Sequence, residues 1–271
     1  MPLKLMYITN NPEIAVIAEN AGVDRIFIDM EFIGKDARQG GLDTVQNHHT
    51  IQDIENIKKV VRQAEVMVRI NPIHKGYPGY MDSKEEIDAA IDAGADILML
   101  PYFTTPEEVE KFVEYVDGRV STLPLLESAK AVENLDEILK VKGIDQIHIG
   151  LNDLSLDLGK KFMFEILADG LVDDICKKIK EYQIPFGFGG FGRIGQGMLP
   201  AEKIIKEHYR LGSQCAILSR SFCNASMIKD LEEIRSIFDE GVKEIRDYEA
   251  TCVDGFEENH QELVEIVRGI V

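Results

Sequence analysis

What most restricts the fold of this chain is an alternation sustained from one end to the other: short apolar runs of strand length, each followed by an amphipathic helical stretch or a turn leading to one. The runs are Leu3–Ile8, Arg25–Glu31, Glu65–Asn71, Asp96–Pro101, Val120–Glu127, Gln146–Asn152, Pro185–Gly189 and Cys215–Arg220. The clearest helix is Pro106–Val116, where Val109, Phe112, Val113 and Val116 share one face and charges the other. Ala21-Gly22, Ala93-Gly94, Lys142-Gly143 and Leu211-Gly212 fall where a helix must stop before a strand. Thr105-Pro106-Glu107-Glu108 and Asp82-Ser83-Lys84-Glu85 place a capping side chain and early acids at helix starts. Eight strand–helix units are the count of an α/β protein of the closed (β/α)8 barrel type, a TIM barrel; a doubly wound open sheet is the less economical arrangement.

Nothing rich in Pro, Gly and Ser interrupts the pattern, so residues 1–248 read as one barrel domain. A helical stretch, Ser226–Tyr248, follows the last strand, and then comes a tail, Glu249–Val271. Leu263, Val264, Ile266, Val267 and Ile270 form an apolar stripe on these extra C-terminal helices. The stripe is expected to pack on the barrel or on a neighbouring subunit, which points to a homo-oligomer.

The chain's 271 residues suffice for one such barrel, and 48 Asp and Glu against 30 Lys and Arg give a net charge of −18. A surface this acidic repels phosphate backbones and anionic lipids, so neither nucleic acid nor membrane is expected as a partner. No window approaches the ~18 uninterrupted apolar residues of a membrane span. The opening MPLKLMYITNNPEIAV does not read as a signal peptide. Cys176, Cys215, Cys223 and Cys252 show no CxxC spacing and are expected as reduced thiols, consistent with a cytoplasmic location.

Polar residues terminate several of the apolar runs, at the rim where barrel active sites collect: Asp29-Met30-Glu31, Arg69-Ile70-Asn71, Glu127-Ser128 and Gly150-Leu151-Asn152-Asp153. Glu127 and Asp153, from adjacent strand ends, suit a hard divalent cation. Mg²⁺ takes one or two protein carboxylates and lets substrate oxygens and water complete its shell. Arg69 offers a planar fork for a substrate carboxylate, with Gly150 and Asn152 as further substrate contacts.

These residues carry a family resemblance. The run Leu125-Leu126-Glu127-Ser128-Ala129-Lys130-Ala131-Val132-Glu133-Asn134-Leu135-Asp136-Glu137-Ile138 resembles the metal-binding segment of the HpcH/HpaI aldolase/citrate lyase family, and so does Gly143 through Gly159. Phe27-Ile28-Asp29-Met30-Glu31, Val68-Arg69-Ile70-Asn71 and Ile91 through Pro101 match in order and spacing, so that the resemblance covers about Ile14 to Phe222. It implies a barrel that binds Mg²⁺, with Mn²⁺ or Co²⁺ as substitutes, together with pyruvate or its enolate. Glu127 and Asp153 are then the metal ligands, and Arg69 steadies the carboxylate and enolate oxygens. The implied activity is a metal-dependent carbon–carbon lyase of the class II aldolase type, acting on a small hydroxylated 2-oxo acid. The alternatives are cleavage of a 3-hydroxyacyl thioester, as in citrate lyases, and a catalytically silent barrel that binds metal and oxo acid.

The chain departs from the aldolase pattern at two places. The family places a histidine directly after the Asp-x-Glu of the second strand, paired with an aspartate that matches Asp92; here that position is Phe32. His48 and His49, at the end of the same loop, are the candidate general bases, with His74, Tyr77 and Tyr80 weaker ones. The second departure is Gly187 through Gly197, a glycine-rich run after the seventh strand, where barrels often bind phosphate. With Arg193 and Arg220 it is a candidate contact for a phosphorylated, carboxylated or CoA-linked substrate. His148 and His208 read as packed structural residues, and Cys215 and Cys223 as buried thiols.

Overall fold

Every apolar run pairs in parallel with the next along the chain, and the eighth returns to the first, closing a barrel. The computed structural model describes residues 1–34, 47 and 49–271. Its strands are β1 (Lys4–Ile8), β2 (Arg25–Asp29), β3 (Glu65–Arg69), β4 (Ile97–Leu100), β5 (Ser121–Leu126), β6 (Ile147–Ile149), β7 (Phe186–Phe191) and β8 (Cys215–Leu218). Helices α1 (Pro12–Asn20), α2 (Ile51–Val60), α3 (Ser83–Asp92), α4 (Pro106–Val116), α5 (Ala129–Glu133), α6 (Leu135–Ile138), α7 (Leu151–Asp157), α8 (Glu165–Ala168), α9 (Leu171–Glu181) and α10 (Ala201–Leu211) lie between them. Two more, α11 (Leu231–Glu249) and α12 (Phe256–Ile270), follow β8. This is the (β/α)8 barrel with C-terminal helices that the sequence predicts. No helix among the described residues is long and apolar enough to cross a membrane.

Strand periodicity builds the core in two layers. Met6, Phe27, Met67, Ile97, Met99, Leu123, Leu125 and Cys215 point inward and pack as one cluster inside the barrel. Their alternates, among them Ile26, Ile28, Val66, Val68, Leu98 and Leu100, point outward and join the larger cluster beneath the helices. Each such side chain, fully buried, contributes about 1.5–3 kcal/mol of transfer free energy. Two residues beyond Phe27, Met67 and Leu125 stand Asp29, Arg69 and Glu127, so the same parity directs these three towards the barrel axis at the carboxyl rim. Two residues before Phe27 stands Arg25, which is buried; its Nε donates to Glu65 Oε2 (2.9 Å) and its Nη2 to Gln146 Oε1 (2.8 Å), closing the opposite end.

Local signals account for the helix limits. Asp82 and Thr105 cap α3 and α4 in reciprocal boxes with Glu85 and Glu108. Gly94 and Gly212 end their helices at φ +106° and +70°, where a Cβ is disfavoured. The helix predicted from Ser226 starts only at Leu231, because the Asp230 carboxylate caps it by accepting from the Glu232 N–H (3.0 Å). The long helix α11 also ties down β1. The Leu3 N–H donates to Glu249 Oε1 (2.7 Å), and Arg246 donates to the Leu3 carbonyl (2.8 Å) and to Asp24 Oδ2 (3.2 Å). Helix α12 packs on α10 and α8 of its own chain. There the buried Glu207 carboxylate accepts from Asn259 Nδ2 (3.1 Å) and pairs with His260 Nδ1 (2.9 Å).

Candidate active site

The rim is organised around Arg69. Its Nε and Nη2 donate to Asp29 Oδ1 and Oδ2, both at 2.8 Å, and Glu31 Oε2 lies 3.4 Å from Nε. Burial alone lowers the guanidinium pKa, but the carboxylates of Asp29, Glu31 and Glu127 outweigh it and hold the group firmly charged. The guanidinium also stands 5.6 Å from the centroid of the Phe27 ring. Because Arg69 is partnered across β2–β3 in register, its head is fixed before any substrate arrives.

Glu127 is only 3% exposed and accepts from the Tyr102 N–H at Oε1 (3.0 Å). Tyr102 holds that N–H in place with φ +43°, a left-handed conformation that costs a non-glycine residue about 1–3 kcal/mol. A Cβ at Gly150 would lie 2.8 Å from Glu127 Cβ and 2.9 Å from Oε2, so the glycine is what gives the carboxylate room. Asp153 sits three residues further on, in the first turn of α7, with Oδ1 accepting from Asn152 Nδ2 (3.0 Å). Among the described residues no group of three or more His, Cys, Asp or Glu converges as a metal cluster. Glu127 and Asp153 would offer a cation two carboxylates, a donor set that suits Mg²⁺.

A second set of bonds, centred on Asn71, fixes the start of the loop after β2. The buried Asn71 Oδ1 accepts from both the Phe32 and Ile33 N–H groups (2.9 Å each), and its Nδ2 donates to Glu86 Oε1 (2.9 Å). Tyr80 Oη donates to the same oxygen (3.2 Å), while Glu86 Oε2 is buried with no hydrogen-bond partner among the described residues. Burial raises the Glu86 pKa, against the opposing effect of the Asn71 bonds.

The remaining candidates are distributed unevenly. His49 is at the rim: the Asp29 N–H donates to its Nδ1 (3.0 Å), so the neutral ring carries its hydrogen on Nε2. Asn47 Nδ2 donates to Asp29 Oδ2 (2.9 Å), and His48 lies outside the described residues. His74 is engaged at both ring nitrogens by the Pro72 and Met81 carbonyls. Asp92 ends α3 at the strand-entry end of the barrel, exposed in a shallow groove with Lys84, Asp88 and Arg119, and the fold does not bring it to the rim.

The glycine-rich run contributes to strand packing at its start. Arg193 turns to Glu244 (3.6 Å) and Glu240 (3.8 Å) on α11, and Arg220 is exposed. Gly187 and Gly190 lie in β7, where a Cβ would come within 2.3 Å of the Cys215 carbonyl and 2.4 Å of the Ile217 carbonyl. They let β7 and β8 approach across a register shift. His148 bonds the Gly189 carbonyl (3.1 Å) inside the barrel, and burial pushes its pKa down to about 4. His208 stacks on Phe188 at 3.8 Å. Burial raises the Cys215 thiol to about 11, which leaves it inert at neutral pH.

The family profile described as HpcH/HpaI aldolase/citrate lyase matches residues 4–165. Among curated proteins, the 2-keto-3-deoxy-L-rhamnonate aldolase of Escherichia coli (strain K12) is 27% identical over 175 residues, which cover 54% of this chain and 58% of that protein. The chain thus spans less than two thirds of the length of the curated relatives it matches. An HpcH/HpaI aldolase/citrate lyase family protein from Burkholderia cenocepacia J2315 superposes with TM-score 0.63 at 17% identity, over 86% of this chain and 95% of that one. The HpcH/HpaI aldolase of Desulfitobacterium hafniense DCB-2 gives 0.59 at 19%, over 94% and 95%. At these identities the two structures speak for the fold.

Proposed function

The chain belongs to the HpcH/HpaI aldolase/citrate lyase family, and from that premise we propose that it is a carbon–carbon lyase, cleaving or forming a small hydroxylated 2-oxo acid through a pyruvate enolate. The observation that carries this reading is the inward layer of Asp29, Arg69 and Glu127 at one rim, with Arg69 locked by Asp29 beside a nearly buried carboxylate.

In this reading Arg69 receives the oxo-acid head, and Asp29 and Glu31 keep its fork in one orientation. Glu127 and Asp153 hold a divalent cation, Mg²⁺ first among candidates, and Gly150 keeps the space in which Glu127 stands. When bound, the cation supplies positive charge for the oxygen of the enolate. In the cleavage direction the 4-hydroxyl gives up its proton, the C3–C4 bond breaks, and its electron pair is delocalised onto the C2 oxygen. Protonation at C3 then yields pyruvate, and C4 leaves as an aldehyde. His48 and His49 are the candidate bases for the 4-hydroxyl proton.

The experiment is a coupled pyruvate-release assay over a panel of 4-hydroxy-2-oxo acids with Mg²⁺, Mn²⁺ or EDTA. Metal-dependent release, lost in Glu127→Ala, is the expected result. Silence with every acid while Mn²⁺ still binds would reject the lyase and leave a binding barrel.

A further inference from the structure

His148 is fully buried inside the barrel and takes no part in the reaction above. It stands in register with the inward Leu125 of β5 and with Gly187 of β7, whose missing side chain leaves the ring room. Its Nε2 lies 3.1 Å from the Gly189 carbonyl, an oxygen that can only accept, so Nε2 carries the hydrogen. Nδ1 is then the acceptor and faces Cys215 Sγ at 3.9 Å. Burial keeps the ring neutral, which lets it fill both roles. Gly189 belongs to a bulge: between Gly187 and Gly190 β7 advances three residues, while β8 advances two, from Cys215 to Ile217. A bulge leaves a residue out of the ladder, and such a residue keeps one conformation only where something else holds it. Gly189 has φ +44°, and its α-carbon rests on Leu151, since a Cβ there would lie 2.6 Å from Leu151 Cδ1. Leu151 opens α7, which packs on β7, and Asp153 stands in the first turn of the same helix.

We propose that His148 is a positioning residue for the cation: by pinning the β7 bulge it fixes the wall on which Leu151 seats, and so where α7 presents Asp153 to Glu127. The proposal rests on the reading above in which those two carboxylates hold a divalent cation. Glu127 is set from its own side, by the Tyr102 N–H and the space at Gly150. The bond from Asn152 Nδ2 to Asp153 Oδ1 lies within α7, so it orients the carboxylate on the helix but moves with the helix and cannot place it in the barrel. The contact of Leu151 with Gly189 does place it. Small displacements of a ligand weaken a preorganised site, which is why groups behind the ligands matter to metal affinity.

The test is titration of the intact chain with Mn²⁺, followed by electron paramagnetic resonance of the free ion. The variants are His148→Leu, His148→Gln, His148→Asn, Asp153→Asn and the double variant His148→Leu with Asp153→Asn. A glutamine amide nitrogen stands where Nε2 stands and can donate to Gly189, whereas that of asparagine reaches only as far as Nδ1. The expected result is a Kd raised about tenfold in His148→Leu and His148→Asn, and wild-type affinity in His148→Gln. In the Asp153→Asn background His148→Leu should add nothing, because its effect passes through the carboxylate already removed. Leu151→Ala cuts the same connection outside the barrel and should weaken binding likewise, which keeps the test decisive if a substitution inside the barrel prevents folding. Wild-type affinity in Leu151→Ala or in a folded His148→Asn would overturn the positioning role. So would an equal loss from His148→Leu with and without Asp153, the mark of a general loosening of the barrel. Wild-type affinity in Asp153→Asn would instead overturn the cation reading, and the role of His148 with it.

Discussion

Arg69 meets Asp29 edge-on from the neighbouring strand, two nitrogens to two oxygens at 2.8 Å each, with the Asp29 carboxylate fully buried. Such a fork is a planar arrangement that lysine cannot reproduce. Asp29→Asn keeps the shape but removes the charge that opposes Arg69. We expect about a hundredfold loss in pyruvate release and about 1–3 kcal/mol of stability, since the amide can accept only one of the two bonds while Glu31 and Glu127 still face the guanidinium. Steady-state kinetics and urea denaturation read the two effects. Full activity in Asp29→Asn would show that the fork has no part in the chemistry.

Gly150 predicts a defect confined to the carboxylate it faces. In Gly150→Ala the new methyl would stand 2.8 Å from Glu127 Cβ, so Glu127 must shift. The expected outcome is Mn²⁺ affinity weakened at least about tenfold with an unaltered circular dichroism spectrum, because small displacements of a ligand are costly to a preorganised site. Titration followed by electron paramagnetic resonance of the free ion checks it; wild-type affinity would mean that Glu127 does not hold the metal.

The raised pKa of Glu86 gives a pH signature of known sign. Burial makes the folded protein hold this proton more tightly than the unfolded chain, whose carboxyl titrates near 4.5. The group's stabilising contribution is therefore complete below that value and is lost as pH rises through the folded pKa. Glu86→Gln removes the loss, so its urea midpoint should gain on the wild type as pH increases above 4.5. His74 Nε2, 4.0 Å from Oε2, is the nearby group that moderates the effect. A difference between the two proteins that is independent of pH would contradict it.

Gly190→Ala separates a structural glycine run from a phosphate cradle. Its Cβ would strike the Ile217 carbonyl at 2.4 Å, a backbone atom that cannot rotate away. Thermal melting should fall by several degrees, corresponding to about 1–3 kcal/mol of overpacking, and inorganic phosphate should bring no stabilisation to the wild type. Strong phosphate protection of the wild type would restore the run to a binding role.

Much of the architecture was legible in the chain because it depends on local patterns. The strand windows, the boxes at Asp82 and Thr105 and the stops at Gly94 and Gly212 all act within a few residues. Arg69 and Glu127 were legible as polar ends of apolar runs, and strand parity explains why they share a layer. What sequence reading missed arises from encounters between distant segments. Tyr102 contributes a backbone N–H through a positive φ that no side chain announces. Glu86 looks like any early acid of a capped helix, and only the fold turns it inward beneath Asn71. The Glu240 and Glu244 carboxylates that face Arg193 come from α11, far along the chain. The Asp92 expectation came from the family match alone, and its helix carries it to the other end of the barrel.

The bonds between Leu3 and α11 set a timetable for the nascent chain. Strand β1 finds β2 almost as soon as both are made, yet its other edge waits for β8, and the Leu3 N–H waits for Glu249, 246 residues later. At ribosomal speeds of about 5–20 residues per second, the edge that pairs Lys4 with Cys215 stays open for roughly 11–42 s. During this interval the seam exposes unpaired backbone, the kind of edge on which chains join one another. Lys4, the one charged residue of the strand, therefore serves the growing polypeptide, whose open edge it makes a poorer template, more than the closed barrel.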